Sequence, residues 1–468
     1  MSVMSFLLIS SFMFFQGQLS FSFENDWDLR EQRETSSSVK HAFIASGETL
    51  LSNGVVMLFN RYVTKTTWST PTAEAVMNNF SEIWRWEKID GFLVNQFFHP
   101  YQGAYYFNSG RVNGFGFYGS VFFNVLGSFT WEAFGESKPA AMNDFYTTVI
   151  GAASMGEMLY RLYIEACSAG VPPALAFFIN PVAGFHRLVT GWQPPVTSGN
   201  LYRFEAYLGT GYAQNEFFYR EDNSEVFSFK GIYPNIGINI IYGDPFYQNT
   251  IVPYRHFEYS LFFGMNPGKY KEIRAVSDGY LFSFSPVQTN KNMLSTGISA
   301  HLDFVSLGKT GIHDATIDQF SNALNWSVKY QHLFSQKTAL QVKGHAGFSF
   351  LSVSNFYLQD EKNTELKNYG YGFNAKRFYI FEMKKIGRFE VSRFSYLQWT
   401  YPGLTPLSKG YVNWQFTDIG YFHYITNHFS LGIIGSFARE RGVFEGFADT
   451  YKKLNSVRMY FAYRAKDA

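Results

Sequence analysis

The chain has 468 residues, of which 20% are aromatic and only 16% charged, and its formal net charge is +2. Soluble globular chains carry about 25% charged residues, yet the mean hydropathy here is slightly negative, which argues against both an ordinary soluble domain and a polytopic helical membrane protein. No basic block is present for nucleic acid to bind, and the single Cys167 excludes a disulfide framework and a cysteine metal site.

The N-terminus is read as a signal peptide over residues 1–23. Residues 5–15 form an apolar run of the right length, too short to span a bilayer. No Lys or Arg precedes the run, and no small-x-small cleavage site follows it. Residues 24–79 are a lead segment, and a helical pattern sets in at about residue 45. Residues 80–192 form a helical domain with three long apolar stretches, "GFGFYGSVFFNVLGSFTWEAFG", "MNDFYTTVIGAASMGEMLYRLYIEACSAG" and "PPALAFFINPVAGFHRLVTGW". Asn124, Glu132, Asp144, Glu157, Arg161, Asn180 and Arg187 fall in or beside these stretches. Charges at bilayer depth need partners. Helices packed against a barrel, in its lumen or at its periplasmic mouth, would supply them, with Gly151, Ala152, Ser154 and Gly156 allowing close approach.

A Pro/Gly/Ser linker, 193–200, leads into a barrel region, 201–468. Here hydrophobicity alternates with period two. Leu294, Thr296, Ile298, Ala300, Leu302 and Phe304 face one way, and Ser295, Gly297, Ser299, His301 and Asp303 the other. About twelve such runs occur, each long enough for a tilted strand to cross a bilayer. The fold expected is therefore an α+β membrane protein: an N-terminal helical unit and a C-terminal antiparallel transmembrane β-barrel of about 12 strands. His256, Glu258, His301, Asp303, Lys343 and His345 would line its lumen.

The helical half gathers a polar constellation. His99, Glu132 and Asp144 are the candidate catalytic residues, since a histidine with two carboxylates can do general acid–base work. Arg111, Asn113, Asn143, Glu157, Arg161, Asn180 and Arg187 complete a polar network. Structural roles compete for each. Glu157 and Arg161 are four apart and can pair on one helix face. Asn143 or Asp144 suits a helix N-cap. His99 precedes Pro100, which favours an extended or turn backbone there. Glu132 wants a partner, with His99 or an arginine expected. No nucleophile elbow, zinc helix or phosphate loop is present, so no metal and no cofactor is expected.

One family matches this order of residues. Asp90, Asn95, His99-Pro100-Tyr101-Gln102-Gly103, Arg111-Val112-Asn113-Gly114, Gly127-Ser128, Trp131-Glu132, Asn143-Asp144, Gly156-Glu157 with Tyr160-Arg161, Asn180-Pro181, and Arg187 to Gly191 follow its pattern. Over about residues 80–192 the chain resembles the bacterial domain of unknown function family numbered 3943. Ala140 and Ala141 stand where that pattern has a serine after the proline. The resemblance implies a Gram-negative-type envelope protein with a C-terminal barrel and supplies no activity.

The favoured function is an outer-membrane barrel whose helical domain acts as a plug or periplasmic-side module, structural or as a gated passage. Its partners would be outer-membrane lipids and either lipopolysaccharide or a small solute, not nucleic acid. The alternative is an outer-membrane enzyme acting on lipid or lipopolysaccharide through His99, Glu132 and Asp144. A third reading is an inner-membrane helical protein carrying a β domain.

Overall fold

The computed structural model describes residues 39–467, apart from 82–83, 87–90, 198, 220–224, 247–248, 267–269, 309–315, 360–364, 374, 402–408 and 446. The signal peptide and Asp90 therefore lie outside the described residues.

Seven α-helices come first: α1 Val39–Tyr62, α2 Ala73–Ser81, α3 His99–Val112, α4 Phe117–Phe134, α5 Met142–Ser168, α6 Pro173–Ile179 and α7 Pro181–Thr190. α1 falls within the stretch read as a lead segment, yet it packs on α3 and α4. It is also the one helix among the described residues long and apolar enough to cross a membrane. At 1.5 Å per residue, α1 and α5 are about 36 and 40 Å long.

Local chemistry sets the helix ends. Asn180 caps α7, its Oδ1 accepting from the Ala183 N–H at 3.1 Å, and Pro181 follows at the first helical position. Gly191 ends α7 in the left-handed region, at φ 73°, where a residue without Cβ is favoured. His99 is helical, φ −63° and ψ −48°, not extended. A π-turn, Val94–Phe98, leads straight into α3. Pro100 then sits in the first turn of α3. The cap of α5 also differs from expectation. The flanking residue is Ala141 with no side-chain cap, and Asn143 and Asp144 lie inside the first turn, where Asp144 meets the positive end of the helix dipole.

Thirteen strands follow: β1 Leu201–Tyr219, β2 Glu225–Tyr242, β3 Phe257–Asn266, β4 Tyr270–Gln288, β5 Asn292–Gly308, β6 Thr316–Ser335, β7 Thr338–Gln359, β8 Glu365–Gly372, β9 Ala375–Ile386, β10 Phe389–Thr400, β11 Gly410–Tyr424, β12 Phe429–Phe444 and β13 Thr450–Asp467. All described pairings are antiparallel between neighbours, and β1 closes on β13. β8 pairs with β7 over Ser352–Gln359, and β9 with β7 over Thr338–Ser349. These two short strands thus share one position in the wall, and the result is a closed barrel of twelve strand positions. Tight turns at 289–291, 336–337, 387–388 and 425–428 lie at the end where β1 begins and β13 stops. Short turns mark the periplasmic end of such barrels.

Alternation assigns the two faces. Leu208, Ile236, Ile419, Ile433, Val457 and Phe461 point outward and are exposed, forming the apolar belt that a bilayer covers. Over part of β2 to β8, however, the outer face is buried. Ala275, Leu302, Phe304, Phe320, Leu351, Val353 and Tyr371 pack with Phe92, Ala104 and Met155 of the helical region, and Ile240, Tyr242 and Phe257 pack with Met158. A register shift at Asn322/Ala323 opposite Ser349 and Leu351 turns Leu351 and Val353 to this side. α5 starts beside Phe373, which Tyr146 meets at 6.0 Å between ring centroids. It ends at the linker, where Glu165 accepts from Thr197 Oγ1 at 2.8 Å and from the Asn200 N–H at 3.1 Å.

The helices are therefore a bundle laid along the outside of the wall. The helical unit expected against the barrel, in its lumen or at its periplasmic mouth, does pack on the barrel but on the outer face of its wall. The residues they touch, such as Phe304 and Ala275, are in the opposite phase from lumen residues such as Asp303 and Arg274. The lumen is instead filled by side chains of the wall itself.

Candidate functional site

Two polar regions compete as the site: the interior of the bundle and the lumen of the barrel.

In the bundle, Glu157 of α5 is fully buried. Its carboxylate meets Arg111 Nε and Arg161 Nε, each at 2.9 Å. Arg111 also donates to the Phe115 carbonyl at 2.9 Å, and its guanidinium lies 4.4 Å from the Tyr160 ring centre. Arg161 donates to the Pro253 carbonyl at 3.0 Å, which ties the bundle to the β2–β3 connection. Asn113 donates to Glu48 Oε2 at 2.7 Å, and Glu48 Oε1 meets His186 Nδ1 at 2.6 Å. Asn180 donates to Asn108 Oδ1 at 2.8 Å, and Asn108 to the Gly156 carbonyl at 3.2 Å. Arg187 stands apart from this group, reaching Cys167 Sγ at 3.6 Å and Gln193 Oε1 at 3.3 Å. Sequence reasoning missed Glu48 and His186. Glu48 sits in a helix with no other acidic residue, a signal that could have found it.

The catalytic trio separates. His99 Nε2 lies 3.8 Å from Asp144 Oδ2, and its Nδ1 faces Thr148 Oγ1 at 3.3 Å. Asn143 donates to Asp144 Oδ1 at 2.7 Å. Glu132 turns to the backbone, its Oε2 accepting from the Ala141 N–H at 3.0 Å, one of the two alanines that replace the family's serine. Glu136, which the sequence reading did not name as catalytic, also bears electrostatically on His99. Glu136 lies in the α4–α5 turn and accepts from Trp131 Nε1 at 2.8 Å. Burial pushes its carboxyl above the ordinary range, aided by nearby Asp144 and opposed by His99, Trp131 and Lys138.

In the lumen, charges pair across the barrel. Arg274 on β4 meets Asp418 on β11 at 2.8 Å, and Arg458 on β13 meets both Glu272 and Asp418 at 3.1 Å. Nearer the short-turn end, Glu258 on β3 takes Lys343 at 2.6 Å and Lys329 at 2.9 Å. Arg377 on β9 pairs with Asp303 on β5, and Arg464 with Glu205. Toward the opposite end an apolar layer of Tyr233, Tyr270, Leu307, Tyr396, Trp414 and Leu454 closes the bore. Below it lies a chamber of about 280 Å³, walled by Glu205, Glu258, Lys343, Asp303, Arg274 and Arg458 among others. Glu258, His301, Asp303, Lys343 and His345 all face inward, as the alternation implies.

A closed antiparallel twelve-position barrel with an outward apolar belt is an outer-membrane β-barrel protein, and its place is the bacterial outer membrane. Residues 83–182, which include most of the bundle, match the model of the domain of unknown function DUF3943. No curated protein matches the chain. Among solved structures, an outer membrane channel from Pseudomonas putida F1 is 9% identical at a TM-score of 0.31, covering 58% of this chain and 100% of that one. The P. putida toluene transporter TodX is 8% identical at 0.25, covering 56% and 89%. The Ralstonia pickettii toluene transporter TbuX is 8% identical at 0.25, covering 57% and 90%.

Proposed function

We propose that the barrel is a gated passage for a small solute across the outer membrane, closed in this state by its own aromatic layer. The observation that carries this reading is the charged chamber beneath that layer. A barrel serving only as a scaffold gains nothing from keeping a cavity of about 280 Å³ whose wall sets paired charges among aromatic and aliphatic side chains, because buried ion pairs rarely outdo apolar packing. Both signs of charge and a larger aromatic and aliphatic share line the chamber, so it suits a small solute with an apolar body and without strong preference for anions or cations. The bundle braces the wall over β2 to β8, and its outward Phe122, Val125, Phe129 and Leu188, all exposed, meet outer-membrane lipid. The enzymatic alternative has less support, since Glu132 is held by a backbone N–H.

Planar-bilayer recording tests the proposal. Truncating Tyr396 and Trp414 to alanine widens the constriction, and the double variant should conduct several-fold more than wild type. A variant that folds but stays sealed to ions, and to sugars in vesicle swelling, overturns the passage and leaves a structural barrel.

A further inference from the structure

We propose that Asp278, His301 and His345 form a binding site for one divalent transition-metal ion on the lumen side of the wall. The three come from β4, β5 and β7, and no spaced motif announces them. Asp278 and His301 are direct register partners. His345 is reached across β6, where it pairs with Ser327. One ligand atom from each side chain lies within 4.8 Å of the others, and all three residues are buried.

The hydrogen bonds around the rings decide which nitrogens are free. His301 Nε2 contacts Ser299 Oγ at 2.7 Å, and His345 Nδ1 contacts Ser327 Oγ at 2.6 Å. The two serine hydroxyls also bond to each other. The opposite nitrogens, His301 Nδ1 and His345 Nε2, have no hydrogen-bond partner among the described residues. Orphaned buried polar atoms are costly, and an ion at their meeting point satisfies both. A ligating histidine typically donates its other N–H to a fixed acceptor, and the serine pair supplies two such acceptors. Tyr379 stacks on His345 at 4.5 Å between centroids and fixes its plane.

Distances fit with small adjustment. Metal–nitrogen bonds of about 2.0–2.1 Å put tetrahedral ligand atoms roughly 3.4 Å apart, and His345 Nε2 already lies 3.5 Å from Asp278 Oδ2. Two imidazoles and one carboxylate favour zinc, copper, nickel or cobalt over magnesium or calcium. Three protein ligands leave the fourth position for water or a ligand from the lumen. Lys329 tempers the affinity. Its Nζ sits 3.0 Å from Asp278 Oδ2 and competes for that oxygen, while Glu258 at 2.9 Å offers it another seat.

The test is zinc titration of the untagged, detergent-refolded full chain against a chromogenic chelator, with cobalt(II) absorption as a second readout. Wild type should take up one equivalent and give a tetrahedral cobalt spectrum. His301→Ala and His345→Ala should each weaken binding by about 100-fold, at or beyond the upper end of outer-shell effects. Ser327→Ala should weaken it about 10-fold, and Lys329→Gln should tighten it. The last two variants keep all three ligands and carry the test if an alanine variant fails to fold. No zinc uptake by wild type overturns the site. So does binding that none of these substitutions changes. The readout is equilibrium binding, so the outcome is independent of whether the barrel conducts.

Discussion

The interior of the bundle and the lumen of the barrel both bury charges, but they do so differently. In the bundle, one carboxylate, Glu157, holds two arginines within a few ångströms, and most other polar groups bond to nearby backbone. Asn108 reaches the Ala104 carbonyl and Asn113 the Ser109 carbonyl. These contacts let helices approach closely. In the lumen some pairs join strands far apart in the wall, as Arg274 and Asp418 do, others join neighbours, as Glu205 and Arg464 do, and they surround a chamber. Dense packing with short-range satisfaction is the signature of a brace. Cross-bore pairs around a cavity can rearrange, because partners on opposite walls can part without disturbing the sheet. The same residue types thus serve rigidity in one region and gating in the other.

The sharpest way to break this comparison is to remove the central carboxylate of each region. Glu157→Ala leaves Arg111 and Arg161 buried and unpaired, and should cost about 3–5 kcal/mol. Asp418→Ala should cost roughly 1 kcal/mol, because that side chain is one-fifth exposed and chamber water can take its place. Denaturant titration of the folded band on unboiled gels measures both. Equal losses would show that the lumen is as dry as the bundle.

Packing gives a smaller contrast. A Cβ on Gly127 would lie 2.3 Å from the Tyr106 ring, whereas one on Gly344, on the outer face of β7, meets nothing within 4 Å. Gly127→Ala should cost about 1–3 kcal/mol, and Gly344→Ala should stay within about 0.5 kcal/mol, by the same titration.

The smallest effect is in pH. The folded-state pKa of Glu136 is raised, so the native state binds its proton more tightly than the unfolded chain does. Stability is then fully present below the ordinary carboxylate pKa and declines as pH rises through the raised one. Glu136→Gln should therefore raise the heat-modification midpoint at neutral pH by the equivalent of a few tenths of a kcal/mol, given partial solvent screening. The gain should vanish below about pH 4. A gain that persists in acid would place its cause elsewhere.

Some of this was legible before any coordinates. The period-two alternation of "LSTGISAHLDF" assigns His301 and Asp303 to one face and Phe304 to the other, because a strand has no freedom to do otherwise. The number of such runs gave twelve wall positions. The pairing of Glu157 with Arg161 followed from helical spacing alone. The fate of His99 was not legible, since the π-turn before it overrode the extended preference that Pro100 sets. Nor was the partner of Glu132, which is a backbone N–H nine residues away in a loop.

Sequence by itself determined the class of wall, its alternation and the family resemblance of the helical segment, because these rest on local periodicity and residue order. Tertiary structure alone decided which side of the wall the helices take. Phe304 and Phe320 read as lipid-facing whether lipid or a helix covers them, since both covers are apolar. It also decided which charges meet across the bore, and that Asp278, His301 and His345 converge. Contacts between strands far apart in the chain depend on closure and register, which no local pattern encodes.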